Sequence, residues 1–199
     1  MIKKETLNFF KELEQNNNKP WFEENKPRYL AAQDDYLHFI SELLPEIRKV
    51  ETIHEKDLKK YVNRIYRDNR FSKEKIPYNN HIRTSIERAA DDKKCPFYLQ
   101  FEPNNTFIAG GIWQPTPELL KKVRQEIDFN GSTLNTILSK KTFTKMFGTM
   151  YGDSLAKAPN GYSPDNPNIE LIKLKQFIVK RSFDDDLVCS KNFIYCCPR

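Results

Sequence analysis

Residues 96–113 read PFYLQFEPNNTFIAGGIW, and this stretch decides the fold class. Phe97, Leu99 and Phe101 alternate with Tyr98, Gln100 and Glu102, the period-two pattern of a strand with one buried face. Pro103, Asn104 and Asn105 are turn residues, and TFIAGGIW then returns as a second strand, which makes a hairpin. Gly110 and Gly111 inside that second strand point to a backbone that something approaches closely. They form no phosphate loop, because the G-x-x-x-x-G-K spacing is missing and Ile112–Trp113 follows instead of a helix.

Helical signals flank the hairpin. A first helix is expected over residues 5–15, with Leu7, Phe10 and Leu13 on one face, ending at NNNKP. PWFEENKPRY gives a turn around Trp21 and Phe22, with Pro27 as the first residue of a longer helix. That helix carries Tyr29, Gln33, Tyr36, Leu37, Ile40, Leu43 and Leu44 as its inner stripe, and Pro45 ends or kinks it. After the hairpin, Thr116 reads as an N-cap, Pro117 as N1 and Gly131 as part of a C-cap. LNTILSKKTFTKMFG reads as further short helices, and DSLAKAPNGYSPDNP as a long surface loop. NIELIKLK is a brief helix before a last strand, QFIVKRSF. RIYRD at 64–68 alternates imperfectly and is assigned as the first strand of the same sheet. Helices, strand, hairpin, helices and strand, in that order, make an α+β protein with an antiparallel or mixed sheet of four or more strands, expected as a single domain over 1–199.

The chain has 33 Lys and Arg against 27 Asp and Glu, a net charge of +6. Nine of the cations and three of the anions lie between positions 59 and 88, so the surplus sits there and the rest is balanced. Focused positive charge of this kind favours an anionic partner. The hydrophobic fraction of 38% is that of a globular protein. No apolar run is long enough to span a bilayer, and MIKKETLNFFKELEQ is amphipathic with acids inside it, unlike a signal peptide. Cys95, Cys189, Cys196 and Cys197 lack C-x-x-C spacing, and His38, His54 and His81 are scattered, so neither a disulfide framework nor a metal site is expected. These features place the chain in the cytoplasm.

PWFEENKPRY, RIYRDNRFSKEKIPYNNH, FYLQFEPNNTFIAGGIWQPTPELLKKVR and APNGYSPDNPNIELIKLKQFIVKR, in this order, resemble the family called Domain of Unknown Function 2461. The resemblance covers nearly the whole chain. It implies one α+β domain and no particular activity. Its fingerprint falls on Trp21, Phe22, Lys26, Pro27 and Arg28, then on Arg64, Tyr66, Arg67, Asp68, Arg70, Phe71, Ser72, Lys75, Pro77, Tyr78 and His81. It continues through Glu102, Pro103, Gly110, Gly111, Trp113, Pro115 and Arg124 to Gly161, Lys173, Lys175 and Arg181. The resemblance also implies a helix after SKNF, where this sequence runs IYCCPR. With that helix missing, Phe193, Ile194 and Tyr195 would leave an apolar patch and favour homo-oligomers.

The basic stretch 64–83 defines the candidate site. Arg64, Arg67 and Arg70 can bind carboxylate or phosphate in bidentate fashion, Ser72 adds a hydroxyl and Lys75 a movable charge. Tyr66, Tyr78 and Trp113 supply flat walls, and His81 lies at the end of the loop. The expected ligand is a small phosphorylated or carboxylated molecule, with no cofactor or metal. The alternative within the same residues is a structural network in which Asp68 pairs with Arg67, Arg70 or Arg28. No catalytic set is assigned: His81 and Asp68 are candidates for acid–base work, with Ser72 or Cys95 as nucleophile, and none has a recognisable spacing. Two other classes compete. A protein-interaction module would present NGYSPDNP and the C-terminal edge, and a nucleic-acid-binding domain would use the basic and aromatic interleaving.

Overall fold

The computed structural model describes residues 1–70, 73, 75–89 and 95–196. Helices α1 (Lys4–Gln15) and α2 (Lys19–Arg48) come first, then strands β1 (Ile82–Ile86), β2 (Phe97–Phe101) and β3 (Thr106–Ile112). Helices α3 (Pro117–Leu138), α4 (Lys141–Phe147) and α5 (Ile169–Ile172) precede β4 (Phe177–Phe183), and two short helices, α6 (Asp185–Val188) and α7 (Phe193–Cys196), follow it. The strands pair antiparallel in the order β1-β2-β3-β4, so the chain is an α+β protein. Among the described residues no helix is long and apolar enough to cross a membrane. Packing divides the chain into two compact units, one of residues 1–108 with 182–199 and one of residues 109–181.

In the first unit, α2 absorbs what the sequence suggested were two pieces. Asn18 caps it by accepting the Trp21 N–H at 3.0 Å, and the helix runs through both Pro27 and Pro45. A proline inside a helix costs roughly 3 kcal/mol through its missing donor and ring clash. Against that, Phe22, Tyr36, Phe39, Ile40, Leu43 and Leu44 are all buried along α2, each contributing roughly 1.5–3 kcal/mol. Continuity of the buried stripe outweighs the local breaks. Phe9, Phe10 and Leu13 of α1 join the same core, together with Phe101 of β2.

The assignment of residues 64–68 to the sheet is corrected. The first strand is Ile82–Ile86, whose Ile82, Thr84 and Ile86 are buried and pair with Phe101, Leu99 and Phe97. Residues 64–68 form no strand. Tyr66 makes one isolated antiparallel bridge with Tyr78, flanked by Arg67 N–H to the Pro77 carbonyl at 2.9 Å and Asn79 N–H to the Ile65 carbonyl at 2.7 Å. Pro77 has no N–H to donate, so the ladder cannot continue.

The C-terminal expectation is corrected as well. Phe193 is 0% exposed and packs edge-on against Phe183 at 5.1 Å, with Phe39 at 5.5 Å and Phe101 at 5.7 Å. The residue expected to head an apolar patch is part of the core. Tyr195 remains exposed.

In the second unit, Thr116 caps α3 through the Leu119 N–H at 3.3 Å, as its sequence signal suggested. Gly131 does not end the helix. The backbone leaves helical geometry at Asn130 and then resumes to Leu138. Asn168 fills the kink, its amide nitrogen donating to the Ile127 carbonyl at 3.1 Å and its oxygen accepting from Asn135 at 2.8 Å. A Cβ on Gly131 would run into that side chain. Arg124 donates to the Ile172 carbonyl at 2.8 Å and the Leu174 carbonyl at 3.2 Å, closing the end of α5. At Gly111 the backbone has φ +121°, and a Cβ there would collide with the Phe177 carbonyl, which is the close approach the glycine pair announced.

Candidate functional site

The bridged segments 64–67 and 76–79 form one wall of a cleft of about 400 Å³ in the first unit. The lining residues of the cleft are Glu14, Asn17, Arg67, Ile76, Tyr78, Asn79, Asn80, His81 and Glu102. Asn17, in the turn between α1 and α2, holds the second segment in place. Its side chain donates to the Tyr78 carbonyl at 2.9 Å and accepts the Tyr78 N–H at 3.1 Å, as a neighbouring strand would. Behind the wall the Tyr78 ring stacks on Phe22 at 4.0 Å, and Tyr66 lies 5.5 Å from Tyr78.

A chain of hydrogen bonds fixes the opposite side. The Tyr98 hydroxyl donates to Gln100 Oε1 at 2.7 Å, and Gln100 Nε2 donates to Glu102 Oε2 at 2.7 Å. Glu102 also accepts from Asn105 at 2.6 Å and from Asn80 Nδ2 at 3.0 Å. A carboxylate only accepts, so the Asn80 NH₂ must face Glu102 and its Oδ1 must face His81. His81 Nδ1 lies 3.3 Å from that oxygen. The imidazole therefore carries its proton on Nδ1, and Nε2 is left with a lone pair. That Nε2 is buried with no hydrogen-bond partner among the described residues. Burial lowers the His81 pKa most; Arg83 and Arg67 lower it further, while Glu102 opposes them. The ring is neutral at neutral pH.

The sequence-derived site residues separate into groups. Arg67, Tyr78 and His81 meet at the cleft. Arg70 does not line it: the guanidinium grips Asp68, with Nε to Oδ1 at 2.9 Å and one terminal nitrogen to Oδ2 at 2.6 Å. This contact holds the Asp68 carboxyl down to about 2, and it is the structural pairing weighed above. Lys75 turns back to the Asn69 carbonyl at 2.8 Å. Arg64 is exposed outside the cleft, and Tyr66 is 60% exposed. Trp113 belongs to the second unit, 57% exposed after β3. Ser72 lies outside the described residues. Asp68 shares no contact with His81 that would make an acid–base pair, since its carboxylate is taken by Arg70.

Glu14, Asn17, Ile76, Asn79 and Asn80 were not singled out by sequence. NNN at 16–18 was legible only as a helix stop, and YNN at 78–80 only as a turn. Glu102 carried a signal through the fingerprint, as a polar residue ending a cleanly alternating strand. Among the described residues, no group of three or more His, Cys, Asp or Glu is placed to hold a metal ion.

A family model described as conserved hypothetical protein (DUF2461) matches residues 5–197. No curated protein and no solved structure matches the chain.

Proposed function

The chain belongs to the conserved hypothetical protein family DUF2461, and from that premise, which names no reaction, we propose that it binds a small molecule through a carboxylate or phosphate group in the Arg67–His81 cleft. One observation carries the reading. Arg67 lines the cleft, and its guanidinium makes no ion pair or hydrogen bond among the described residues. A guanidinium offers a planar fork matched to carboxylate and phosphate oxygens, and the cleft has the volume of a small-molecule site. Ile76 gives the ligand an apolar contact. Arg70 and Lys75, committed to Asp68 and to the Asn69 carbonyl, play no part in it. A cytoplasmic setting belongs to the same proposal, supported by cysteine spacing that offers no disulfide framework.

The test is thermal unfolding in phosphate, sulfate and citrate against chloride at matched ionic strength. A ligand specific to the folded state raises stability by about 2.7 kcal/mol at a hundredfold excess over its Kd. Arg67→Ala should abolish any gain, and Arg70→Ala should keep it. A gain that survives Arg67→Ala puts the anion elsewhere.

A second reading has its own observation. Tyr66 stands exposed near Arg64 and Arg67, neither of whose side chains makes an ion pair or hydrogen bond among the described residues, and such a trio suits single-stranded nucleic acid. Binding to an oligonucleotide that weakens steeply with salt would favour it, because counterion release is absent from a compact ligand site.

A further inference from the structure

We propose that the ligand of this cleft is a zwitterion, carrying an ammonium group as well as the anion that Arg67 receives; this rests on the reading of the cleft as a small-molecule site. Most polar groups of the cleft are already engaged. Glu102 is not available, since its two oxygens accept from Asn80, Gln100 and Asn105. Asn17 spends its amide on the Tyr78 backbone. Asn79 turns its own amide to the Arg64 carbonyl at 3.3 Å. His81 is neutral, as derived above.

The charged side chains that line the cleft and lack a partner among the described residues are then Arg67 and Glu14. They have opposite sign and face the same space, yet no ion pair within 4.0 Å joins them. An arginine alone would select a plain anion. Arg67 with an unpaired carboxylate in the same cleft disfavours one, because a ligand of net negative charge brings repulsion to Glu14.

A second, independent feature points to a cation on the Glu14 side. Glu14 lies in the last turn of α1, which spans twelve residues and has no basic residue in that turn. The carbonyl end of a helix carries partial negative charge and favours cations. The helix end and the carboxylate act in the same direction. A ligand with an ammonium at Glu14 and a carboxylate or phosphate at Arg67 gives each group an opposite charge and adds no net charge to the cleft.

The two sources of this chemistry are free amino acids and amino-alcohol phosphates. Calorimetric titration of the wild-type chain with the twenty free amino acids and phosphoethanolamine, each beside its N-acetyl derivative at matched ionic strength, separates them. The expected result is at least one zwitterion that binds tenfold or more tightly than its N-acetyl form. Glu14→Gln should bring that ratio to within threefold, weakening the zwitterion and tightening the N-acetyl form as the repulsion is lifted, and Arg67→Ala should remove binding of both. If simple anions and N-acetyl forms bind as well as the zwitterions, or Glu14→Gln leaves the ratio intact, the zwitterion assignment is wrong and the anion site stands. If no member of the set binds, both readings fall.

Discussion

Asp35 closes the start of a helix to which it does not belong: its carboxylate accepts the Thr6 hydroxyl at 2.7 Å and, on the same oxygen, the Lys3 N–H at 2.9 Å. Lys3 stands at the N-cap of α1 and has no capping side chain of its own. The buried Asp35, from the middle of α2, binds the N-cap N–H, as the acidic residue of a capping box does, and ties the two helices together. Loss of a capping oxygen costs about 0.5–2 kcal/mol, and stranding a buried donor adds about 1–3 kcal/mol. Asp35→Ala is expected to lower the urea midpoint accordingly, and Asp35→Asn, which keeps an acceptor, to lower it less. Equal midpoints for wild type and Asp35→Ala would show that water satisfies these donors.

His81 should give the protein a stability that falls on acidification. Its native pKa is below the ordinary 6.5, so between 6.5 and the native value the unfolded chain binds more protons than the folded one. Stability then rises with pH across that window and is lost as pH falls through it. Urea titrations from pH 8 to pH 5 should show this slope, and His81→Gln should flatten it. An unchanged slope in the variant would move the origin to other groups.

Gly131→Ala is expected to destabilise the second unit although alanine is the better helix former. The added methyl meets Asn168, which must leave the Ile127 carbonyl. Overpacking of this kind typically costs about 1–3 kcal/mol. Asn168→Ala in the same background should add little further, because the bond is already broken. A double-mutant cycle on thermal unfolding measures that coupling, and strict additivity would refute it.

Phe193→Ala should behave as a core substitution, lowering stability by about 3–5 kcal/mol. A change under about 0.5 kcal/mol, the range of ordinary surface substitutions, would mean that α7 is not seated on Phe39, Phe101 and Phe183.

Elements with one clear period or one clear cap were legible in the sequence. Phe97, Leu99 and Phe101 announced β2, Thr116 announced α3, and Gly111 announced the approach of Phe177. Residues 64–68 misled because Ile65 and Tyr66 mimic strand alternation, while the decision is made by Pro77, thirteen positions after the start of that stretch. IRTSI was passed over because its buried centre is Thr84, which reads as polar. The cleft was half legible for a related reason. Arg67, Tyr78 and His81 lie close in sequence, whereas Glu14, Asn17 and Glu102 arrive from other elements. Arg70, grouped in the sequence with Arg64 and Arg67 as an anion ligand, is instead occupied by Asp68 two residues away, the alternative its spacing left open.

The pair of hydrogen bonds between Asn17 and the Tyr78 backbone also bears on the order in which the molecule assembles. It joins groups 61 residues apart in the chain, so its loop-closure entropy must be met before it returns anything. The cleft wall then becomes rigid only after α1 and α2 have docked, and it is among the first features released when they part. We expect the Tyr78 amide to exchange with solvent deuterium on the timescale of that undocking. Exchange of Tyr78 that stays fast while the α1 amides are protected would separate the two events.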